Sequence, residues 1–209
     1  MSKSSITHQI TTIEELTNIY DAASEASIKK EVSYLHPHYQ AIIKASPFAV
    51  LATNGQRGLD TSPRGDVAGF VSIRDEKTLL IPDRRGNNRL DSLRNIIHDP
   101  RVALLFLVPG LGETLRVNGQ AIISKDPELL NQFSVNGKAP KTVLIIHVEV
   151  AFFQCSRAIH RSGLWKARDT DQIRSIPTPG KILADLSNST IDGEKYDLEL
   201  PERIKSTLY

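Results

Sequence analysis

The stretch from Phe48 to Val150 predicts a mainly β, α+β fold: six short antiparallel strands curled into a barrel, with flanking helices. Two observations carry this. Short apolar runs recur, each closed by Gly, Pro, Asn or Asp, which is the punctuation of strands. As far as Ser124 the elements are mostly strands, with one helical stretch, Leu90 to Ile97, crossing between the third and fourth, as in a closed antiparallel sheet rather than alternating βα units. At 209 residues the chain can bury one substantial core. The expected division is an N-terminal helical segment (1–45), the barrel (46–165) and a C-terminal extension packed on it (166–209), as a single domain overall.

Ile13, Leu16, Ile19, Tyr20 and Ala23 recur at helical spacing within 11–32, and Thr12 ahead of Glu15 forms a capping box, so one amphipathic helix is predicted there. His36-Pro37-His38 interrupts it. A second helix is expected from about Pro37 to Lys44, ending before Ser46-Pro47. Two histidines around a proline evoke a metal site, but no carboxylate or cysteine stands at matching spacing, and a helix start is the better reading. Phe48–Thr53 reads as a buried strand entering a tight turn at Asn54-Gly55. The second strand should cover 59–63 and 67–72, broken at Arg64-Gly65-Asp66, and the third, Thr78–Ile81, stops at Pro82. Asn87 or Asn88 should cap the 90–97 helix and Asp99-Pro100 should end it. Strands follow at 102–108 and 114–124. Asp126-Pro127-Glu128 opens a helix over 127–133, with an N-cap and proline at the first helical position. The last strand is 142–150, followed by a helical stretch from Ala151 to Leu164; turns of helix are expected at 181–186 and 201–208.

Composition removes several classes of function. A single cysteine, Cys155, allows no internal disulfide and fits a reducing compartment. The first residues lack the apolar core of a signal peptide, and no run is long enough to span a membrane, so a cytoplasmic protein is expected. A pI of 8.6 without interleaved aromatic and basic residues gives no argument for nucleic acid. There is no Gly-x-Ser-x-Gly elbow, no Walker loop and no Gly-x-Gly-x-x-Gly after the first strand. His147 sits among apolar neighbours and reads as a packed core histidine, and Cys155 as a small polarisable group rather than a nucleophile. Asp60, Asp66 and Asp83 are better explained by ion pairs and turn capping than by a divalent metal.

One charge cluster stands out. Between Arg84 and Arg94 four arginines (84, 85, 89 and 94) face one acid, Asp91, in a chain of net charge only +2. Gly86-Asn87-Asn88 just before a helix would offer free backbone N–H groups and the positive end of its dipole, with Arg84 or Arg85 and Arg89 as bidentate donors. Such an arrangement suits a phosphate monoester. Gly65, between Arg64 and Asp66, would let a flat ring approach the backbone closely.

The series Ser62-Pro-Arg-Gly-Asp66, Ile81-Pro-Asp-Arg-Arg-Gly-Asn-Asn-Arg-Leu-Asp-Ser-Leu-Arg-Asn95, Asp99-Pro-Arg-Val102, Phe106-Leu-Val-Pro-Gly110 and Glu113-Thr-Leu-Arg-Val-Asn-Gly119 resembles the pyridoxamine 5'-phosphate oxidase-like FMN-binding proteins. It is most similar to their bacterial branch of about two hundred residues, over Ser46 to Trp165. The resemblance implies a split β-barrel that dimerises with FMN at the subunit interface. It places Gly86, Asn87, Asn88 and Arg89 at the FMN phosphate, where Arg84 is also expected. Ser62, Arg64, Gly65, Asp66, Ile81, Pro82 and Thr114 fall beside the flavin, and Arg116 at the mouth of the site. Cys155, Ser156, Arg157 and Trp165 fall on the segment given to the other subunit's site. The Arg-x-His pattern with which the oxidases grip pyridoxamine phosphate has no counterpart in 190–209, so the resemblance extends to the flavin and not to that substrate. The function implied is an FMN-dependent oxidoreductase working on a small-molecule substrate or a nicotinamide electron donor. The alternatives are a flavin carrier without catalysis, a cofactor-free dimeric scaffold, or a relative that binds heme or a deazaflavin.

Overall fold

The computed structural model describes residues 8–167 and 170–209. Its centre is a seven-stranded antiparallel sheet formed by β1 (Phe48–Gly55), β2 (Gly58–Gly65), β3 (Ser72–Asp75), β4 (Thr78–Pro82), β5 (Arg101–Leu107), β6 (Thr114–Ser124) and β7 (Val143–Gln154), in the order β2-β1-β5-β6-β7-β4-β3. The described helices are α1 (Ile13–Thr17), α2 (Glu25–Lys29), α3 (Pro37–Ala45), α4 (Asp91–His98), α5 (Pro127–Gln132), α6 (Arg157–Ser162), α7 (Thr170–Arg174), α8 (Pro179–Leu186) and α9 (Gly193–Thr207). The expected mainly antiparallel sheet with flanking helices is present, but it has seven strands rather than six and its ladder is not closed. The reason lies at Asp66. The expected second strand does not resume after a short break; it ends at Gly65, and the chain crosses to the far edge of the sheet before Ser72 starts β3.

Period-two alternation gives the sheet one fully buried face. Ala49, Leu51 and Thr53 point inward from β1, Leu104 and Phe106 from β5, Leu115 and Val117 from β6, and Ala151 from β7. Tyr39 and Ile43 of α3 complete the core from the N-terminal side. Proline at the first helical position and His36, whose Nδ1 accepts from the His38 N–H at 3.2 Å, start that helix as its sequence predicts.

The opposite face is unusual. Val50 and Ala52 of β1, Ala103 and Leu105 of β5, and Val150 and Phe152 of β7 all point outward from matched rungs, and all are half-buried rather than solvated. Arg116 and Asn118 of β6 stand in their midst.

Several local expectations are corrected. The first hairpin turns at Gln56-Arg57, with Gly55 paired to Gly58, so Asn54-Gly55 belongs to the strand. Gly55 is where α4 crosses: a Cβ there would lie 1.9 Å from the Asn95 Oδ1. The cap of α4 is neither asparagine but Leu90, held at φ 61° with no side-chain hydrogen bond. β7 runs four residues farther than expected, absorbing the start of the anticipated 151–164 helix. Within β7 the alternation sends Ile146 and Val148 inward, so His147 stands on the solvent side of the ladder, exposed rather than packed in the core. The N-terminal stretch forms two five-residue helices rather than one; the Thr12–Glu15 capping box is there, but neither helix buries a residue. Toward the C-terminus α8 and α9 pack so tightly at Gly180 and Gly193 that a Cβ on Gly180 would meet the Gly193 carbonyl oxygen at 2.1 Å. Pro201 lies inside α9 rather than opening it.

Candidate functional site

The end of β2 and the end of β4 belong to opposite wings of the open sheet, yet the chain brings them together through side chains. Asp66, one residue past β2, is paired to Arg84, two past β4, with Oδ2 to Nε at 2.9 Å; its side chain is only 3% exposed. Arg84 Nη1 also donates to the Phe133 carbonyl at 2.6 Å. The Tyr209 hydroxyl donates to the other Asp66 oxygen at 2.6 Å, and the Tyr209 ring lies 5.6 Å from the Arg84 guanidinium. Burial alone would raise the Asp66 carboxyl. The Tyr209 hydroxyl, the Val67 N–H and the Arg84 guanidinium outweigh it and hold the group below the usual carboxylate range.

Beside this pair, Ser62 and Arg64 share the inward side of β2, and Arg64 Nη1 donates to the Ser62 hydroxyl at 2.6 Å. Burial lowers the Arg64 guanidinium from its ordinary value, partly opposed by Asp83 and Asp60. It likewise pushes the Asp83 carboxyl up, against the pull of Arg64 and Lys141. Both charged forms therefore lose more by desolvation than their mutual attraction returns, a condition common at binding sites. Ile81 and Pro82 are buried in the β4 ladder opposite Leu144 and Val143, so the core holds their side chains. Next to Asp83, the Thr142 hydroxyl is buried without a hydrogen-bond partner.

From Arg85 to Leu90 the chain leaves regular structure and is exposed throughout. Asn88 adopts φ 58°, and the Asn87 Oδ1 accepts from the Arg89 N–H at 3.0 Å. The Arg89 guanidinium is paired to Asp91 at 2.7 Å but remains 68% exposed, so that pair is readily exchanged for another anion. Because Leu90 offers no capping side chain, the first-turn amides of α4 open toward this loop. A groove of about 500 Å³ adjoins it, lined by Gly65, Asp66, Val67, Arg84 and Arg85 on one side and by the end of α9 with Tyr209 on the other.

The remaining residues singled out in the sequence lie elsewhere. Thr114 and Arg116 start β6 on the outward face; the Arg116 guanidinium stacks 4.1 Å from the centre of the Phe152 ring, and its Nε is buried with no partner. Asn118 Oδ1, two residues on along the same face, is also buried and unpartnered. Cys155 and Arg157 follow β7 and are exposed, while the Trp165 indole donates to the Leu111 carbonyl at 2.7 Å. Pro82 pairs with the first residue of β7, whereas Cys155 lies just beyond the last of its 12. At about 3.3 Å per residue Pro82 and Cys155 are separated by roughly 40 Å of extended strand, whereas the rung Pro63–Val50–Leu105–Arg116 sets the end of β2 three strands away from Arg116. One protomer gathers Ser62, Arg64, Gly65, Asp66 and Arg84 with the Asn87–Arg89 loop, and among the described residues no hydrogen bond or ion pair joins Arg116, Arg157 or Trp165 to them.

Sequence reasoning took the Thr114–Asn118 strand as a neighbour of the flavin, in which Asn118 follows Arg116 by two and shares its face, but it missed Tyr209. Tyr209 joins Asp66 across 143 positions, and no local pattern announces such a bond. Among the described residues no group of three or more His, Cys, Asp or Glu side chains is placed to hold a metal ion, and no helix is long and apolar enough to cross a membrane.

A search of curated proteins finds no match. Among solved structures, HupZ of Group A Streptococcus is 22% identical, covering 58% of this chain and 94% of that one, with a TM-score of 0.48. The General Stress Protein 26 of Bacillus anthracis is 21% identical, covering 55% and 88%, with a TM-score of 0.41. A protein related to general stress protein 26 from Clostridium acetobutylicum is 14% identical, covering 56% and 86%, with a TM-score of 0.45. The decisive comparison is with families: the pyridoxamine 5'-phosphate oxidase profile matches residues 35–155, more than half of the 209 and spanning all seven strands. By that match the chain belongs to the pyridoxamine 5'-phosphate oxidase family.

Proposed function

We propose that this protein is an FMN-binding flavoprotein, and that it works as an oxidoreductase on a small-molecule substrate or a nicotinamide donor. The observation that carries the proposal is the open Arg85–Leu90 loop, with unspent donors and an uncapped helix start, set against a desolvated Ser62–Arg64–Asp83 cluster. A phosphate monoester suits the loop: Arg85, Asn87, Asn88 and Arg89 would hold it through charge-assisted bonds and helix amides. Arg84 has a different part from the one its sequence position suggests. Its bonds to Asp66 and Phe133 make it a strut of the site, and the phosphate falls to its neighbours. The heterocycle would lie by Arg64, Gly65 and Asp66, where the unpartnered Thr142 hydroxyl gives a further polar contact. Bound FMN would supply the hydride or electron chemistry, so no side-chain nucleophile is needed.

The outward sheet face supports a homodimer. A half-buried apolar surface holding two unsatisfied polar atoms, Arg116 Nε and Asn118 Oδ1, is costly in water-free packing and is relieved when a second surface brings partners. Two-fold pairing through this face would carry Arg116, Cys155, Arg157 and Trp165 toward the partner's phosphate loop, completing each site from both chains.

The absorbance spectrum of the purified protein tests the reading. Flavin bands, or their appearance when FMN is added to colourless protein, are expected; a colourless protein that takes up no FMN would sink it. Reduction of the bound flavin by a nicotinamide and its reoxidation by an added acceptor would separate an oxidoreductase from a carrier.

A further inference from the structure

The last helix, α9, is held to the body in an uneven way. It buries none of its own residues, and Leu198 is 82% exposed. Along its length it leans on α8, yet the residues just past its end are fastened to the strand framework at three points. The Tyr209 hydroxyl donates to Asp66, the Tyr209 ring lies over Arg84, and Lys138 Nζ donates to the Tyr209 main-chain oxygen at 3.0 Å. Ile204, Thr207 and Leu208 form the facing wall of the groove that ends at Arg85. A helix with little burial and a tightly bonded tip is a strap, able to leave without unfolding the core and closing a defined groove when it returns.

We propose that residues 204–209 close over the cofactor half-site and that Tyr209 is a positioning residue, fixing Asp66 and through it Arg84 beside the bound flavin. This rests on the FMN-binding reading above. The chemistry is asymmetric: Asp66 can satisfy Arg84 and Tyr209 at once because it offers two oxygens. Removing the hydroxyl frees one oxygen of a carboxylate that is nearly out of solvent, and loosens the strut on which Arg85 and the following loop are mounted. Closure and cofactor should therefore strengthen each other, and by linkage each should stabilise the other's bound state equally.

The experiment measures two quantities on the full chain. In the first, FMN is allowed to dissociate into an excess of a flavin-trapping apoprotein. Tyr209→Ala should release it about tenfold faster or more, the usual range for a lost bond to a charged group. Tyr209→Phe, which keeps the ring over Arg84, should fall between. In an Asp66→Asn background the Tyr209→Phe change should have little further effect, which a general loss of stability would not reproduce. In the second, trypsin is used to cut α9 after Arg203 or Lys205. Saturating FMN should slow that cleavage several-fold in the wild type and much less in Tyr209→Ala. Cleavage that FMN leaves unchanged or accelerates, in a wild type that visibly binds FMN, overturns the strap and leaves the flavin reading standing. A wild type that takes up no FMN removes both. Unaltered circular dichroism and melting of Tyr209→Ala are the expected sign that the core survives; a collapsed core would show that the segment is structural and overturn the proposal.

Discussion

Arg89 illustrates how a single side chain is poised. Its pair with Asp91 spans only two positions and stands in solvent, where such pairs contribute little, so an arriving phosphate can take the guanidinium at small cost. Arg89→Ala should weaken FMN binding by about 1.5–3 kcal/mol, the worth of a hydrogen bond to a charged group. Fluorescence titration of the flavin would read it, and an unchanged affinity would move the phosphate away from this loop. Asp99 gives a second prediction at this scale, concerning acid. The Arg101 guanidinium, then the Asn54 amide and the Arg101 N–H, hold its carboxyl far below the ordinary 3.8. A group whose folded value is depressed stabilises above the unfolded value and loses that contribution as pH falls through the folded one. Between about pH 4 and about pH 2 the wild type should therefore lose stability more steeply than Asp99→Asn, as followed by denaturant midpoints. At the residue scale the sequence exposes charge and glycine well. The Arg84–Arg89 cluster was legible, whereas the diversion of Arg84 to Asp66, Phe133 and Tyr209 was not, since all three partners are remote in the chain.

Among the elements, α3 matters most to the core because it covers the sheet's buried face from the N-terminal side. Ile43 has no exposed surface and packs within the same cluster as Leu51 and Val148. Ile43→Ala should cost about 2–5 kcal/mol, read from a urea midpoint; a loss below about 1 kcal/mol would mean that the site collapses around the smaller side chain. The caps and the alternation that define α3, α5, β4 and β6 were readable from neighbouring residues, because helix starts and pleated faces are local physics. Failures came where one element's fate depends on another. The strand expected to resume at 67 ends instead at Gly65 because its continuation pairs with β4 at the distant edge. β7 outlasts its apolar run because Thr114 to Val117 of β6 offers it a ladder through Gln154. His147 lands outside because neighbours in sequence alternate faces whatever their hydrophobicity, and Ile146 and Val148 take the inside.

For the molecule as a whole, the half-buried outward face is the feature that calls for a second chain. Leu105 lies on its middle strand, beside Arg116. Leu105→Asp should turn the proposed dimer into a monomer and lower FMN affinity together, because in that pairing each site would lose the wall given by the other chain. Light scattering coupled to gel filtration checks the first, and a wild type that is already monomeric at micromolar concentration would exclude the shared site. The candidate site was legible in outline from the motifs within 60–119. That Pro82 and Cys155 stand at opposite ends of β7, about 40 Å of strand apart, became visible only with strand order and register. The same sheet also says something about how assembly stops. An unclosed sheet leaves two free rims, which in many proteins recruit further strands without limit. Here one rim is β2, with Pro63 lacking an N–H, and the other is the four-residue β3 with its break in register. Neither is a good template, so growth along the ladder direction is discouraged. Pairing through faces, by contrast, uses up the surface that drives it. Association through the proposed face should consequently stop at discrete pairs rather than run on along the ladder.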